Sequence, residues 1–408
     1  MALIHGGGFL QFSSSADPSI NGSQPARKGV VVVSFNYRLG ILGFLAHPEL
    51  DQEGPSGNNG LQDQLAALRW VQAHIERFGG DPDNVTVFGE SAGAHAIGIL
   101  LASPLTRGLV HKAIGESGAF WDSEHGPLTT FAEAHDRGVA FTERLGASSV
   151  AALRALPAEE VNVAASWNFT QDPGMTAFSP NIDGYVVPDV PATRYFDGKQ
   201  LRVPLLAGWN EVEALPFLAR ALPHETAQHF IEAAEQRFGD KLEEFLALYP
   251  ADNDAQAKVS AEALIGDLTI SEQTCRWLEL QWRTGQPVYG YRFTYTSPYV
   301  SIASHLAEVP FVFGTLTPQF LIGGTMPPTD TDRALSETMI SYWVNFATQG
   351  DPNGSGLPDW PVYGGDGAVQ EFGRTVAPQA NQQPARFRFL ASYRNSGAFP
   401  ASWRDEIR

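Results

Sequence analysis

The chain has 408 residues, with 27 Lys and Arg against 45 Asp and Glu, a formal net charge of −18 at pH 7. At 43% hydrophobic and 18% charged it can bury a large core, and at about 150 residues per domain it allows two or three domains or one large α/β unit. That acidity argues against a phosphate-bearing partner such as nucleic acid, no apolar stretch approaches the roughly 20 residues of a membrane span, and the single cysteine, Cys275, rules out an internal disulfide framework or a Cys-rich metal site. No histidines fall at a metal-ligand spacing such as HExxH, so no metal or cofactor is expected.

The chain opens on Met1-Ala2-Leu3-Ile4 followed by His5-Gly6-Gly7-Gly8-Phe9, with no basic segment and apolar run of a signal peptide before it. Together with the single cysteine this favours a cytoplasmic location, with secretion left open. Val30 to Phe35 reads as a buried strand, and Leu61 to Phe78 as a helix with Leu61, Leu65, Leu68, Val71 and Ile75 on one face. Asp81-Pro82-Asp83-Asn84 breaks the chain, Val85 to Phe88 is a short strand, Ala92 to Leu101 a helix, and Ala113-Ile114 begins a further strand. Such alternation predicts a mostly parallel sheet covered by helices.

From about 130 to 275 the pattern becomes Ala/Glu-rich and helical, as over His224 to Leu248, interrupted by the Pro/Gly-rich Phe178 to Pro191. Val203 to Ala207 and Val288 to Phe293 are two more strand candidates. The expected organisation is one domain over 1–408: a sheet core over 1–125, helical insertions and a loop carrying an acid over about 130–275, and a C-terminal part over 285–408.

Gly89-Glu90-Ser91-Ala92-Gly93 fits GxSxG, with a strand before it and a helix after it. A serine on so sharp a turn projects its hydroxyl out of the sheet, and the helix start aims free N–H groups at the same point. Gly115-Glu116-Ser117-Gly118-Ala119 begins similarly but lacks the second glycine, and reads as an ordinary strand-end turn.

Asn59-Gly60-Leu61-Gln62-Asp63-Gln64, Phe78-Gly79-Gly80-Asp81-Pro82 and Phe88 to Gly93 closely resemble the type-B carboxylesterases, the family of cholinesterases and bacterial p-nitrobenzyl-type esterases. The resemblance continues through Pro180 to Gly184, Gly266-Asp267, His305 to Gly314, Gly350 to Asn353 and Trp360-Pro361, essentially the whole chain. It implies an α/β-hydrolase fold with inserted helical cap segments, and a serine esterase working through an acyl-enzyme on small to medium carboxylic esters.

A serine needs a base and a group that orients the base. By resemblance His305 is that base and Glu213 the acid, with Glu211 its competitor two residues earlier. The chain order Ser91, Glu213, His305 independently matches the Ser…Asp/Glu…His order of the fold. Gly6-Gly7-Gly8 would let backbone N–H groups approach a substrate oxygen, and by resemblance the oxyanion donors are Gly7, Gly8 and Ala92. Glu90 and Glu308 are expected beside the triad, either tuning the imidazolium or pairing structurally. His95 falls beneath the nucleophile and is expected to pack. Phe9, Phe120 and Trp121 are candidate pocket residues.

Leu306 and Ala214 stand where relatives commonly carry a small residue and a glycine. Relatives also carry further strands before the glycine loop, so the sheet is expected to end in an exposed strand near Leu3 or Val30 to Phe35, and a homodimer or concentration-dependent association follows from such an edge. Two rival functions remain: a catalytically compromised esterase, and a non-enzymatic cholinesterase-like binding domain.

Overall fold

A computed structural model describes residues 1–15, 17–119, 128–165, 178–213, 225–316, 326–364, 367–381 and 383–393. Its strands, in chain order, are β1 (Ala2–Leu3), β2 (Val33–Ser34), β3 (Thr86–Glu90), β4 (Lys112–Glu116), β5 (Thr129–Thr130), β6 (Asn181–Ile182), β7 (Leu205–Asn210), β8 (Val288–Phe293), β9 (Val369–Phe372) and β10 (Val376–Gln379). Eight of them form one sheet in the order β10-β9-β8-β7-β4-β3-β1-β2. Every pairing in it is parallel except β10 with β9. The other two make a small parallel sheet.

The central strands β3, β4, β7 and β8 are buried along their whole length, as parallel strands covered on both faces must be. Successive residues point to opposite faces. Val87, Ala113, Leu205 and Val288 therefore join one apolar cluster while Phe88, Ile114, Leu206 and Tyr289 join another. The first is covered by the helices Asn59–His74, Ala92–Ala102 and Glu272–Trp282, the second by Val309–Phe313 and Asp330–Gln349. The last of these helices starts on a Thr329/Asp332 capping box and stops at Gly350, whose φ of 80° ends the helical path.

One strand expectation needs correction. Val30 to Phe35 contributes the two-residue β2 alone and is half-buried rather than buried, because it lies at the end of the sheet with a neighbour, β1, on one side. Among the described residues β2 pairs with β1 alone. The predicted helix over His224 to Leu248 is divided at Gly239, φ 55°, into Ala227–Phe238 and Leu242–Leu248, and His224 itself lies outside the described residues. Among the described residues no helix is long and apolar enough to cross a membrane.

Two of the resemblance motifs turn out to be structural ties. Asn58 and Asn181 exchange hydrogen bonds, Asn58 Nδ2 donating to the Asn181 carbonyl at 2.7 Å and the Asn181 N–H to Asn58 Oδ1 at 3.0 Å. Asn353 clasps Trp360 in the same way, at 2.9 and 2.8 Å.

Candidate active site

The residues singled out in the sequence gather beyond the carboxyl ends of β1, β3, β4, β7 and β8, the edge where parallel α/β sheets place their ligands. Ser91 follows β3 with φ 54° and ψ −123°, a strained conformation for a residue with a side chain. The turn is that tight because Gly89 and Gly93 both pack on the Ile4 carbonyl, leaving no room for a Cβ. The Ser91 N–H donates to the Glu116 carbonyl at 2.9 Å, and the helix starts at once with Ala92, whose N–H has no carbonyl four residues back to bond.

The glycine loop lies against this turn. A Cβ on Gly6 would sit 2.8 Å from the Glu90 carbonyl oxygen and 3.3 Å from Ser91 Cβ. Gly7 and Gly8 then curl the chain at φ 103° and 65°. Buried His5 anchors the loop: its ring stacks on Tyr37 at 4.5 Å, and the Tyr37 hydroxyl donates to the His5 carbonyl at 2.9 Å. Phe9 is fully buried edge-on to Phe44, so it belongs to the core. Phe120, Trp121 and Ala214 lie outside the described residues.

The acid and histidine loops are joined by backbone. The Val212 N–H donates to the Ala303 carbonyl at 2.9 Å and the His305 N–H to the Val212 carbonyl at 3.0 Å, a single parallel bridge between Val212 and Ser304. This sets His305 Nδ1 2.6 Å from Glu213 Oε2, both side chains buried. The other Glu213 oxygen accepts the Asn210 N–H at 2.5 Å. Glu211 points elsewhere, into an ion pair with Arg292. Leu306 follows His305 with φ 75°, which accounts for the small residue relatives prefer there.

The far ring nitrogen, His305 Nε2, lies 3.0 Å from Glu90 Oε1. Among the described residues no hydrogen bond joins His305 to the Ser91 hydroxyl. Beneath the turn, His95 Nδ1–H donates to the Ser91 carbonyl at 2.8 Å and so braces the nucleophile's backbone.

Glu308 is fully buried and accepts from Asn210 Nδ2 at 2.5 Å and from the Ser117 and Tyr291 hydroxyls at 3.2 Å each. Ser117 is therefore not an ordinary turn residue: at φ 53° it repeats the strained geometry of Ser91, with its hydroxyl committed to Glu308. Glu116 accepts the Trp343 indole N–H at 2.5 Å. Asn210, Tyr291, Glu116 and Trp343 were missed in the sequence. For Asn210, Tyr291 and Glu116 the signal available was a polar group inside or ending an apolar strand; Trp343, within the helix Asp330–Gln349, carried none.

Three buried carboxyls, Glu90, Glu213 and Glu308, thus crowd one histidine, and a fourth, Glu116, interacts with Glu90 and Glu308. Burial lifts Glu90 well above the ordinary carboxylate range; the His305 charge opposes this, and Glu308, Glu213 and Glu116 reinforce it. Burial, with Glu308 adding, lifts Glu116 to about 8. Burial and Glu213 raise Glu308, against the Asn210 hydrogen bond. For His305, burial lowers the pKa, but Glu90, Glu213 and Glu308 outweigh it and bring it to about 9.

A model of the carboxylesterase family matches residues 1–389. The chain is 38% identical to the fumonisin B1 esterase of Sphingopyxis macrogoltabida, over 92% of this chain and 69% of that protein. It is 35% identical to the para-nitrobenzyl esterase of Bacillus subtilis strain 168, over 89% and 73%. A solved structure of a PNB esterase superposes with a TM-score of 0.78 at 33% identity, covering 95% of this chain and 80% of the other. With this sheet and these matches, the chain belongs to the carboxylesterase family, has the α/β-hydrolase fold and is a carboxylic-ester hydrolase.

Proposed function

We propose that the ester is cleaved through an acyl-enzyme formed on Ser91, with His305 as the base and Glu213 as the acid that orients it. The observation that carries this is the 2.6 Å contact of His305 Nδ1 with Glu213, both held by backbone at the strand edge where Ser91 stands on its strained turn. Glu213 fixes the proton on Nδ1 and leaves Nε2 to work. As the Ser91 oxygen attacks the acyl carbon, its proton passes to Nε2, and the carbonyl oxygen takes up negative charge facing the N–H groups of Gly7, Gly8 and Ala92. Collapse of this intermediate expels the alcohol, which leaves with the Nε2 proton. Water, deprotonated by the same nitrogen, then releases the acid and restores Ser91.

Nε2 has to exchange Glu90 for the serine hydroxyl along this path. Catalytic hydrogen bonds are often loose before substrate binds, so the present contact is compatible with that exchange. Glu90 and Glu308 act on His305 through their charge and their hold on its loop. The test is covalent labelling with a serine-directed phosphonate, with hydrolysis of p-nitrophenyl esters in parallel. Label should map to Ser91, and Ser91→Ala should lose both label and on the order of 10⁶ in kcat. Label on Ser117, or activity surviving in Ser91→Ala, refutes the assignment.

A further inference from the structure

Asn210, the last residue of β7, grips both the acid loop and the histidine loop. Its backbone N–H holds Glu213 Oε1 at 2.5 Å, and its side-chain amide holds Glu308 Oε2 at 2.5 Å and approaches the Ser117 hydroxyl at 3.2 Å. It is fully buried, in register with Phe293 of the neighbouring strand. Glu308 lies three residues beyond His305, where the short helix Val309–Phe313 begins.

We propose that Asn210 is a positioning residue for hydrolysis, which through its amide fixes Glu308, and so the His305 loop, at the distance from Glu213 that the reaction needs. The proposal rests on the Ser91, His305 and Glu213 assignment above. Its chemistry is that of a donor between two acceptors. Glu308 receives hydroxyl donors from Ser117 and Tyr291 on Oε1, and the Asn210 amide is the side-chain donor on Oε2. An unpaired buried carboxyl oxygen would turn toward another donor and draw the loop with it. A displacement of about 1 Å at a catalytic base is enough to cost on the order of 100-fold in rate.

The decisive experiment exchanges the two groups. Asn210→Asp has the same shape but sets an oxygen against Glu308 Oε2, and should lose roughly 10- to 100-fold in kcat with KM within about twofold. In Asn210→Asp combined with Glu308→Gln the donor and acceptor trade sides: the glutamine amide donates to Asp, and its oxygen still accepts from Ser117 and Tyr291. This double variant should recover at least about tenfold over Asn210→Asp.

Asn210→Ala serves as a second probe if the aspartate variant folds poorly. Without the amide, Glu308 takes up a proton more readily, His305 loses a neighbouring charge, and the acid limb of kcat/KM should move to lower pH along with the fall in kcat. A role confined to stability would lower the melting temperature and leave kcat, the limb and the rescue unchanged. The proposal is overturned by a double variant no more active than Asn210→Asp, or by wild-type kcat in Asn210→Ala. Phosphonate labelling of the wild type separates the two levels. Label at Ser91 with no effect at Asn210 refutes this inference alone, and absence of label at Ser91 refutes the triad assignment and this inference with it.

Discussion

Replacing Glu90 by glutamine removes a charge from the working face of the base while keeping the shape of the side chain. Glu90 Oε1 stands 3.0 Å from His305 Nε2, and its charge is the largest of those that hold the imidazolium at a pKa of about 9. A pKa held above neutrality leaves only a minority of the imidazole neutral and able to accept the serine proton at pH 7. An opposite charge at such range is worth roughly 1–3 pH units, so the acid limb of kcat/KM in Glu90→Gln should fall by that amount. The sign follows from the charge: the imidazolium is the form that loses its partner.

The same charge also stabilises the imidazolium formed as Ser91 attacks, so above the wild-type limb the variant should be slower, by about tenfold for each unit the limb has moved. The two pH profiles should therefore converge below both limbs and part above them. Initial rates on p-nitrophenyl acetate from about pH 5 to 10, at constant ionic strength and with product read at its isosbestic wavelength, give both limbs. A limb that stays in place, or a uniform loss at every pH, would refute the argument and reduce Glu90 to a packing residue.

The choice of acid is tested by Glu213→Gln, which should cost roughly 10⁴ in kcat, against Glu211→Gln, which should cost under about tenfold because Glu211 is exposed and pairs with Arg292. Glu116 holds its proton in the fold to about pH 8, against about 4.5 for the ordinary side chain, so the fold loses stability as pH rises through that window. Glu116→Gln, still accepting from Trp343, should leave melting unchanged near pH 4 and stabilise by up to about 5 kcal/mol by pH 9; equal effects at both pH values would contradict this. The β2 edge, paired with β1 alone among the described residues, should produce concentration-dependent association in light scattering, and a strict monomer across the accessible range would count against it.

How much of this was legible in the sequence depended on how local the signal was. The nucleophile turn announces itself because strand, glycines and helix start are adjacent, and Ser91 and Ala92 fall where the pattern put them. Choosing Glu213 over Glu211 needed the family resemblance, since what separates them is a bridge to a loop 92 residues away at His305. Asn210 and Trp343 were invisible for the same reason: their carboxylate partners lie 98 and 227 residues off. The four valines from Val30 to Val33 misled because an apolar run specifies a preference for the sheet interior, whereas burial is decided by whether a strand has neighbours on both sides.

The bridge between Val212 and Ser304 carries a consequence for protein engineering. Acid and base are registered by main-chain N–H and C=O groups, which every residue except proline supplies in full. Side chains at 212 and 304 can accordingly be exchanged without moving Glu213 away from His305. These two positions are where a combinatorial library can alter the surroundings of the reacting groups at least risk to turnover, provided proline is kept out of 212, whose N–H is one of the two bonds.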